Sequence, residues 1–154
     1  MALSKTKVTL TYEAHDDEEL EPLIKALDNA IDTIGSLTLR TYYLGDESAE
    51  KIARFIAKSS AIEEVDLVFN RITVTGMKAI AGAVAVNASV RVLNLWGNAI
   101  LPSEHREMDL YMAKAIQTGV ARPQNSVWRL YSDREDVNDY GRLSKVLLDD
   151  LEYK

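Results

Sequence analysis

The chain lacks several residue types and motifs that chemistry at a protein site commonly needs. It contains no cysteine, so disulfide bonds and thiolate metal sites are excluded. Its 2 histidines, His15 and His105, do not stand at metal-ligand spacing within a supporting pattern. The glycines are dispersed, and they form neither a phosphate-binding loop nor a Gly-x-Ser-x-Gly turn. The sequence therefore predicts no metal, no cofactor and no enzymatic activity.

Charge and hydropathy limit the partners that the chain can have. The net charge of −6 argues against nucleic-acid binding through the overall electrostatic field. No apolar run approaches the roughly 18 residues that a membrane-spanning helix needs, and the segment Met1–Lys7 lacks the apolar stretch of a signal peptide. We therefore expect a cytoplasmic protein that contacts neither membrane nor nucleic acid.

What the chain does have is an internal repeat. Three short segments of alternating apolar residues end at Leu39, Leu67 and Leu95, which lie 28 residues apart. Alternation with a period of two is typical of a β-strand. Apolar residues three and four apart follow each segment, for example Ile80 and Val84, and this spacing indicates one face of a helix. A strand–helix unit repeated at this period is typical of repeat proteins.

The same template extends toward both ends of the chain and predicts a single α/β domain of about five strand–helix units. We place the units near residues 5–34, 35–61, 62–89, 90–124 and 125–154. We predict strands near Thr6–Leu10, Ser36–Leu39, Glu64–Leu67, Val92–Leu95 and Val127–Leu130, each followed by a helix. Because a helix crosses back between successive strands, the strands must be parallel.

The fourth unit is longer than its neighbours, with extra residues near Leu101–Glu107. This insertion has two interpretations. It is either a specificity loop or additional helix, because Met108 and Met112 keep helical spacing after it. The sequence alone does not separate the two.

The residues after the strands carry a family resemblance. Asn70 and Ile72 follow one strand, and Asn98 and Ile100 follow the next, each pair leading into a helix. This pattern at 28–29 residues per unit resembles the leucine-rich repeats of the ribonuclease-inhibitor type. The resemblance implies a short solenoid with a parallel sheet on its concave face. It also implies that Asn70 and Asn98 are buried structural residues, whereas Tyr42 interrupts their ladder in the second unit.

The concave face of such a sheet is the candidate binding site. Side chains between and just after the buried strand positions are expected to point outward from it. They are Tyr12, Arg40, Asp66, Val68, Phe69, Asn94, Trp96, Arg129 and Tyr131. Exposed aromatic groups beside arginines are typical of protein-binding hot spots. The alternative is that some of these rings fold over a strand edge or pack on the insertion.

The sequence thus predicts a non-catalytic module that binds another protein through its concave face. The resemblance also allows a regulator, inhibitor or activator, of a partner enzyme such as a small GTPase or nuclease. A self-assembling structural protein is a further alternative, because both ends of a short solenoid expose sheet edges. A homodimer through the N-terminal edge is one such case, although Lys5 and Lys7 could keep that edge monomeric.

Overall fold

A computed structural model of the chain describes residues 6–10, 17–41 and 43–146, in which five strands alternate with five helices. The strands are β1 (Thr6–Leu10), β2 (Ile34–Leu39), β3 (Glu64–Asp66), β4 (Val92–Asn94) and β5 (Val127–Arg129). The helices are α1 (Asp17–Asn29), α2 (Asp46–Lys58), α3 (Val74–Ala85), α4 (His105–Thr118) and α5 (Asp139–Ser144).

The strands form one parallel sheet in the order β1-β2-β3-β4-β5. Each strand therefore pairs with the strand that follows it in the sequence, and a helix makes each crossover. The predicted strand positions and the parallel order are confirmed. The strand ends differ from the prediction by two residues at most.

The core lies between the sheet and the helices, which cover one face of it. One row of strand residues in register is fully buried there. It consists of Leu37, Val65, Leu93 and Trp128. The helices supply the other side through residues four apart, such as Ile80 and Val84 on α3, both fully buried. Each such side chain contributes on the order of 1.5–3 kcal/mol on burial, so this layer holds the sheet and the helices together.

Two asparagines join neighbouring strands where the chain leaves the sheet. The amide of Asn70 donates to the carbonyl oxygens of Leu39 (2.7 Å) and Leu67 (2.9 Å), and its oxygen accepts from the Thr41 amide (3.1 Å) and hydroxyl (2.8 Å). Thr41 thereby continues the ladder into the second unit, while Tyr42 lies outside the described residues.

Asn98 repeats this arrangement one unit later. Its amide donates to the carbonyl oxygens of Leu67 (2.9 Å) and Leu95 (2.8 Å), and its oxygen accepts from the Ile72 amide at 3.0 Å. The Leu67 carbonyl therefore receives hydrogen bonds from both asparagines. These bonds satisfy backbone groups that the turns would otherwise leave unpaired.

The additional residues of the fourth unit are distributed over several of its segments. A 3₁₀ turn, Pro102–Glu104, precedes α4, and α4 has 14 residues where α3 has 12. The connection from α4 to β5 is also longer than its counterpart and carries Arg122. The Arg122 guanidinium is buried beside the Trp128 ring, 4.9 Å from its centroid, and burial lowers its pKa. The insertion is therefore mostly helix and turn and not a long loop.

The C-terminal edge of the sheet is closed by side chains. The Asn138 oxygen accepts from the Trp128 amide at 3.0 Å, and the Asp139 carboxylate accepts from the Leu130 amide at 2.8 Å. The expectation that both sheet edges are exposed is therefore wrong at this end, because the start of α5 caps the outer side of β5. At the other end β1 pairs with β2, and the homodimer through that edge stays a prediction.

Candidate functional site

The face of the sheet opposite the helices, called the open face below, carries one row of polar side chains. Strand alternation places them there, and the register aligns them across neighbouring strands. The row consists of Thr38, Asp66, Asn94 and Arg129. All four are half-buried. The structure therefore brings three of the predicted site residues, Asp66, Asn94 and Arg129, together.

Arg40 and Asp66 form a two-pronged ion pair on this face. Arg40 Nε lies 3.3 Å from Asp66 Oδ1, and an Arg40 terminal nitrogen lies 2.6 Å from Oδ2. Asp66 Oδ1 also accepts from the Val68 amide at 3.1 Å. The Arg40 side chain is 40% exposed and that of Asp66 is 15% exposed, so the pair contributes modestly to stability. It does cancel the two opposite charges locally.

The other half of the row leaves polar atoms without partners. The Asn94 side-chain oxygen and Arg129 Nε are excluded from solvent, and neither has a hydrogen-bond partner among the described residues. They stand on strands that pair in register at this point. An unmet buried donor or acceptor costs roughly 1–3 kcal/mol. This part of the open face is therefore not optimised for the stability of the isolated chain.

Val68 is not an exposed residue of the open face. Its side chain is fully buried, so the expectation that it points into solvent is wrong. The strand ends at Asp66, and Phe69 takes a left-handed backbone conformation with φ of 58°. Leu67 belongs to the main hydrophobic core, whereas Val68 is buried outside that cluster.

Phe69 occupies a backbone position that favours glycine. Gly97, which lies 28 residues later in the equivalent turn, has φ of 77°. A left-handed conformation is free for glycine, whereas a bulky side chain makes it a genuine outlier that costs of order 1–3 kcal/mol. A Cβ atom added to Gly97 would lie 2.8 Å from the Phe69 ring. The glycine in one turn thus makes room for the phenylalanine of the other.

Phe69 and Trp96 form an aromatic pair beside the row. Their ring centroids lie 4.8 Å apart with an interplanar angle of 80°, an edge-to-face contact. Phe69 is 38% exposed and Trp96 is half-buried. The amide of Phe69 donates to the Trp96 carbonyl at 3.4 Å, which ties the two turns together. The structure therefore assembles the two aromatic residues that the sequence placed on the outward side.

Tyr131 is turned toward α4 and does not stand free on the open face. Its ring stacks on His105 with centroids 3.9 Å apart, and its hydroxyl donates to Asp109 at 2.9 Å. Burial, followed by the Asp109 charge, raises the pKa of Tyr131. The expectation that Tyr131 joins the exposed patch is corrected accordingly, since it anchors the C-terminal unit. Tyr12 lies outside the described residues.

Sequence reasoning missed a second aromatic contact near the site. The Arg71 guanidinium lies over the Tyr43 ring, 4.6 Å from its centroid. Arg71 follows Phe69 by two residues and is exposed. Tyr43 and Arg71 lie 28 residues apart, so the repeat places them at equivalent positions of neighbouring units. The repeat does not predict the direction of the arginine side chain. This contact adds a cation and a ring near the aromatic pair.

The remaining surfaces gather less chemistry. In the described part of the chain, no three histidine or carboxylate side chains cluster where they could hold a metal ion. Of the helices in that part, none is long and apolar enough to cross a membrane. A shallow groove between α2 and α3 is lined mainly by small side chains, including Ala53, Ala79 and Gly82. The open face of the sheet is therefore the best candidate site.

Sequence comparisons give partial matches. No family model matches the chain. Human Protein NLRC5 is 29% identical over 84 residues, which cover 54% of this chain, and mouse Protein NLRC5 is 35% identical over 65 residues, which cover 42%. These matches span only 4% and 3% of the two relatives. The chain is therefore similar to a small part of a much longer protein.

A structural comparison covers nearly the whole chain. A solved structure titled Leiomodin-1 Actin-Binding Site 2 (ABS2) matches with a TM-score of 0.67 at 18% sequence identity. The match covers 97% of this chain and 81% of that one. At this identity the likeness shows a shared fold.

Proposed function

We propose that the chain is a short leucine-rich-repeat solenoid of the ribonuclease-inhibitor type. The recurrence of Leu39, Leu67 and Leu95 every 28 residues supports this assignment, as do the strand-linking hydrogen bonds of Asn70 and Asn98. The partial similarity to Protein NLRC5, which has leucine-rich repeats, agrees with it. In such an architecture each unit stacks only on its neighbours, and the sheet offers a continuous binding surface.

We further propose that the chain binds another protein through the open face, centred on the aromatic pair Phe69–Trp96. The observation that carries the proposal is the conformation of Phe69. A bulky ring is held in a left-handed turn and is 38% exposed, at a position where the next unit has glycine. Neither the strain nor the exposure favours folding.

Binding to a partner accounts for the strain and the exposure of Phe69. Strain that a folded chain retains without local benefit concentrates at functional sites. An aromatic ring that becomes fully covered by a partner can contribute on the order of 2 kcal/mol or more. The edge-to-face contact with Trp96 holds Phe69 in one orientation before binding, which lowers the ordering cost of the complex.

The proposed role is non-catalytic and cytoplasmic. The Asp66 carboxylate lies in register with Thr38, but it is held by Arg40 and by the Val68 amide, so it is not arranged as a general base for that hydroxyl. An effect on an enzyme would follow from the identity of the bound protein. The structural neighbour is titled as an actin-binding site, so actin is a reasonable named bait beside an unbiased search.

The test is affinity capture with matched variants. The parent chain, the double variant Phe69→Ala/Trp96→Ala and the control Tyr111→Ala are each immobilised and exposed to native cell lysate and to purified actin. Tyr111 is a suitable control because it is 43% exposed on α4, on the helix-covered side.

We expect the parent and the Tyr111 variant to retain the same bound protein and the double variant to lose it. Circular dichroism checks that the double variant remains folded. Equal capture by all three chains would overturn the proposed surface.

A further inference from the structure

Resting on the proposed function, we propose that the partner segment covering the Phe69–Trp96 pair is acidic and places a carboxylate on Arg129. The inference rests on the pairing of charges across the open face and on the position of Arg129 relative to Trp96.

The two arginines of the open face differ in their partners. Arg40 is held by Asp66 through two hydrogen bonds, so its charge is already balanced. No described residue forms an ion pair with Arg129, whose Nε is also without a hydrogen-bond partner. Arg129 is only half-buried, and part of its side chain therefore reaches solvent. It is the arginine of this face that remains available to a partner.

Arg129 lies within reach of the aromatic pair. It pairs in register with Asn94, and Trp96 follows Asn94 by two residues. Adjacent parallel strands lie about 4.8 Å apart, and the Leu95 amide donates to the Arg129 carbonyl at 2.8 Å, so Trp96, the next residue, lies close to Arg129. One short peptide segment can cover the rings and reach the guanidinium together.

Two arginines near the aromatic pair form no ion pair with a described residue. Asp66 is neutralised by Arg40, whereas exposed Glu64 at the start of β3 and exposed Asp133 in the turn after β5 keep their negative charges. Exposed Arg71, stacked on Tyr43, forms no ion pair with any described residue and adds a second cation close to Phe69. The whole chain carries a net charge of −6, so Arg129 and Arg71 are the groups near the aromatic pair that favour an acidic partner. Complementary charges of this kind set the orientation of docking.

Three pools of synthetic twelve-residue peptides test the inference. Each pool has two central leucines, and the flanking positions are Asp/Glu in the first, Asn/Gln in the second and Lys/Arg in the third. Fluorescence anisotropy measures the dissociation constant of each pool at low and moderate salt. We expect the acidic pool to bind at least tenfold more tightly than the amide pool, with a preference that weakens as salt rises.

Variants assign the preference to Arg129. Arg129→Gln should remove the tenfold preference, and Arg129→Lys should retain most of it. Arg54→Gln is the matched control, because Arg54 is an exposed arginine on α2 that forms no ion pair with a described residue.

The outcomes separate this inference from the proposed function. Equal binding of the acidic and amide pools, or unchanged preference in Arg129→Gln, overturns the acidic partner. If Phe69→Ala/Trp96→Ala then weakens all pools alike, the aromatic pair still binds and the proposed function stands. If no pool binds the parent chain, the acidic partner is overturned, and the lysate capture decides the proposed function separately.

Discussion

The two tryptophans of the chain stand close together in the fold and differ in what they do. Trp128 on β5 pairs in register with Leu93 and is fully buried, with the Arg122 guanidinium over its ring and Tyr140 at its edge. Trp96 follows β4 on the opposite side of the sheet, half-buried, and its ring contacts Phe69. Trp128 lies within β5, where strand alternation directs its ring toward the helices, whereas Trp96 lies in the turn after β4.

This difference separates stability from binding. A ring on the helix-covered side removes a large apolar area from water and holds the units together. A ring on the open face gains little from folding and is available to a partner. Substitutions at the two places should therefore affect different measurements.

The largest expected effect is on the buried side. Trp128→Ala should lower the free energy of unfolding by about 3–5 kcal/mol, because it leaves a cavity beneath β5. Trp128→Phe should cost far less, since the indole nitrogen has no hydrogen-bond partner among the described residues. Denaturant titration of both variants measures this difference. Equal losses for the two substitutions would mean that the ring volume does not stabilise this unit.

The two asparagine substitutions should have the next largest effect on stability. Asn98→Ala should lower the free energy of unfolding by roughly 1–3 kcal/mol, because the Leu67 and Leu95 carbonyls and the Ile72 amide each lose a hydrogen bond. Asn70→Ala should behave in the same way. Thermal unfolding measures both variants. If stability is unchanged and partner capture disappears, Asn98 is a binding residue and its structural role is wrong.

Gly97 affects both the stability of the chain and the orientation of the Phe69 ring. Gly97→Ala should lower stability by about 1–2 kcal/mol, because the backbone at φ of 77° disfavours a side chain. The added methyl group would also displace the Phe69 ring, which lies 2.8 Å from its position. Partner capture should weaken together with the melting temperature. A variant that keeps full capture would show that the orientation of Phe69 does not matter.

Much of the fold was predictable because it depends on period alone. The recurrence of Leu39, Leu67 and Leu95 fixed the strands, their parallel order and the outward positions of Asp66, Asn94 and Arg129. Prediction failed where the strands end. Val68 is fully buried just before the left-handed turn at Phe69. The sequence contains no pattern that predicts this turn.

The candidate site was predictable only in part. Phe69 and Trp96 lie where the register placed them, but Tyr131 is drawn toward α4 by its hydrogen bond to Asp109. That contact depends on the packing of helices that are distant in sequence. The ion pair between Arg40 and Asp66 likewise requires the geometry of the folded sheet.

Phe69→Gly should have the smallest effect on stability, and it tests directly whether Phe69 is held in a strained turn for binding. Phe69→Gly removes the left-handed strain and a partly exposed ring, and these changes oppose each other. The melting temperature should therefore stay within about 4 °C of the parent, which corresponds to roughly 1 kcal/mol for a chain of this size. Capture of the partner by this folded variant should be lost. A melting temperature lowered by about 10 °C or more, or capture equal to that of the parent, would contradict the account.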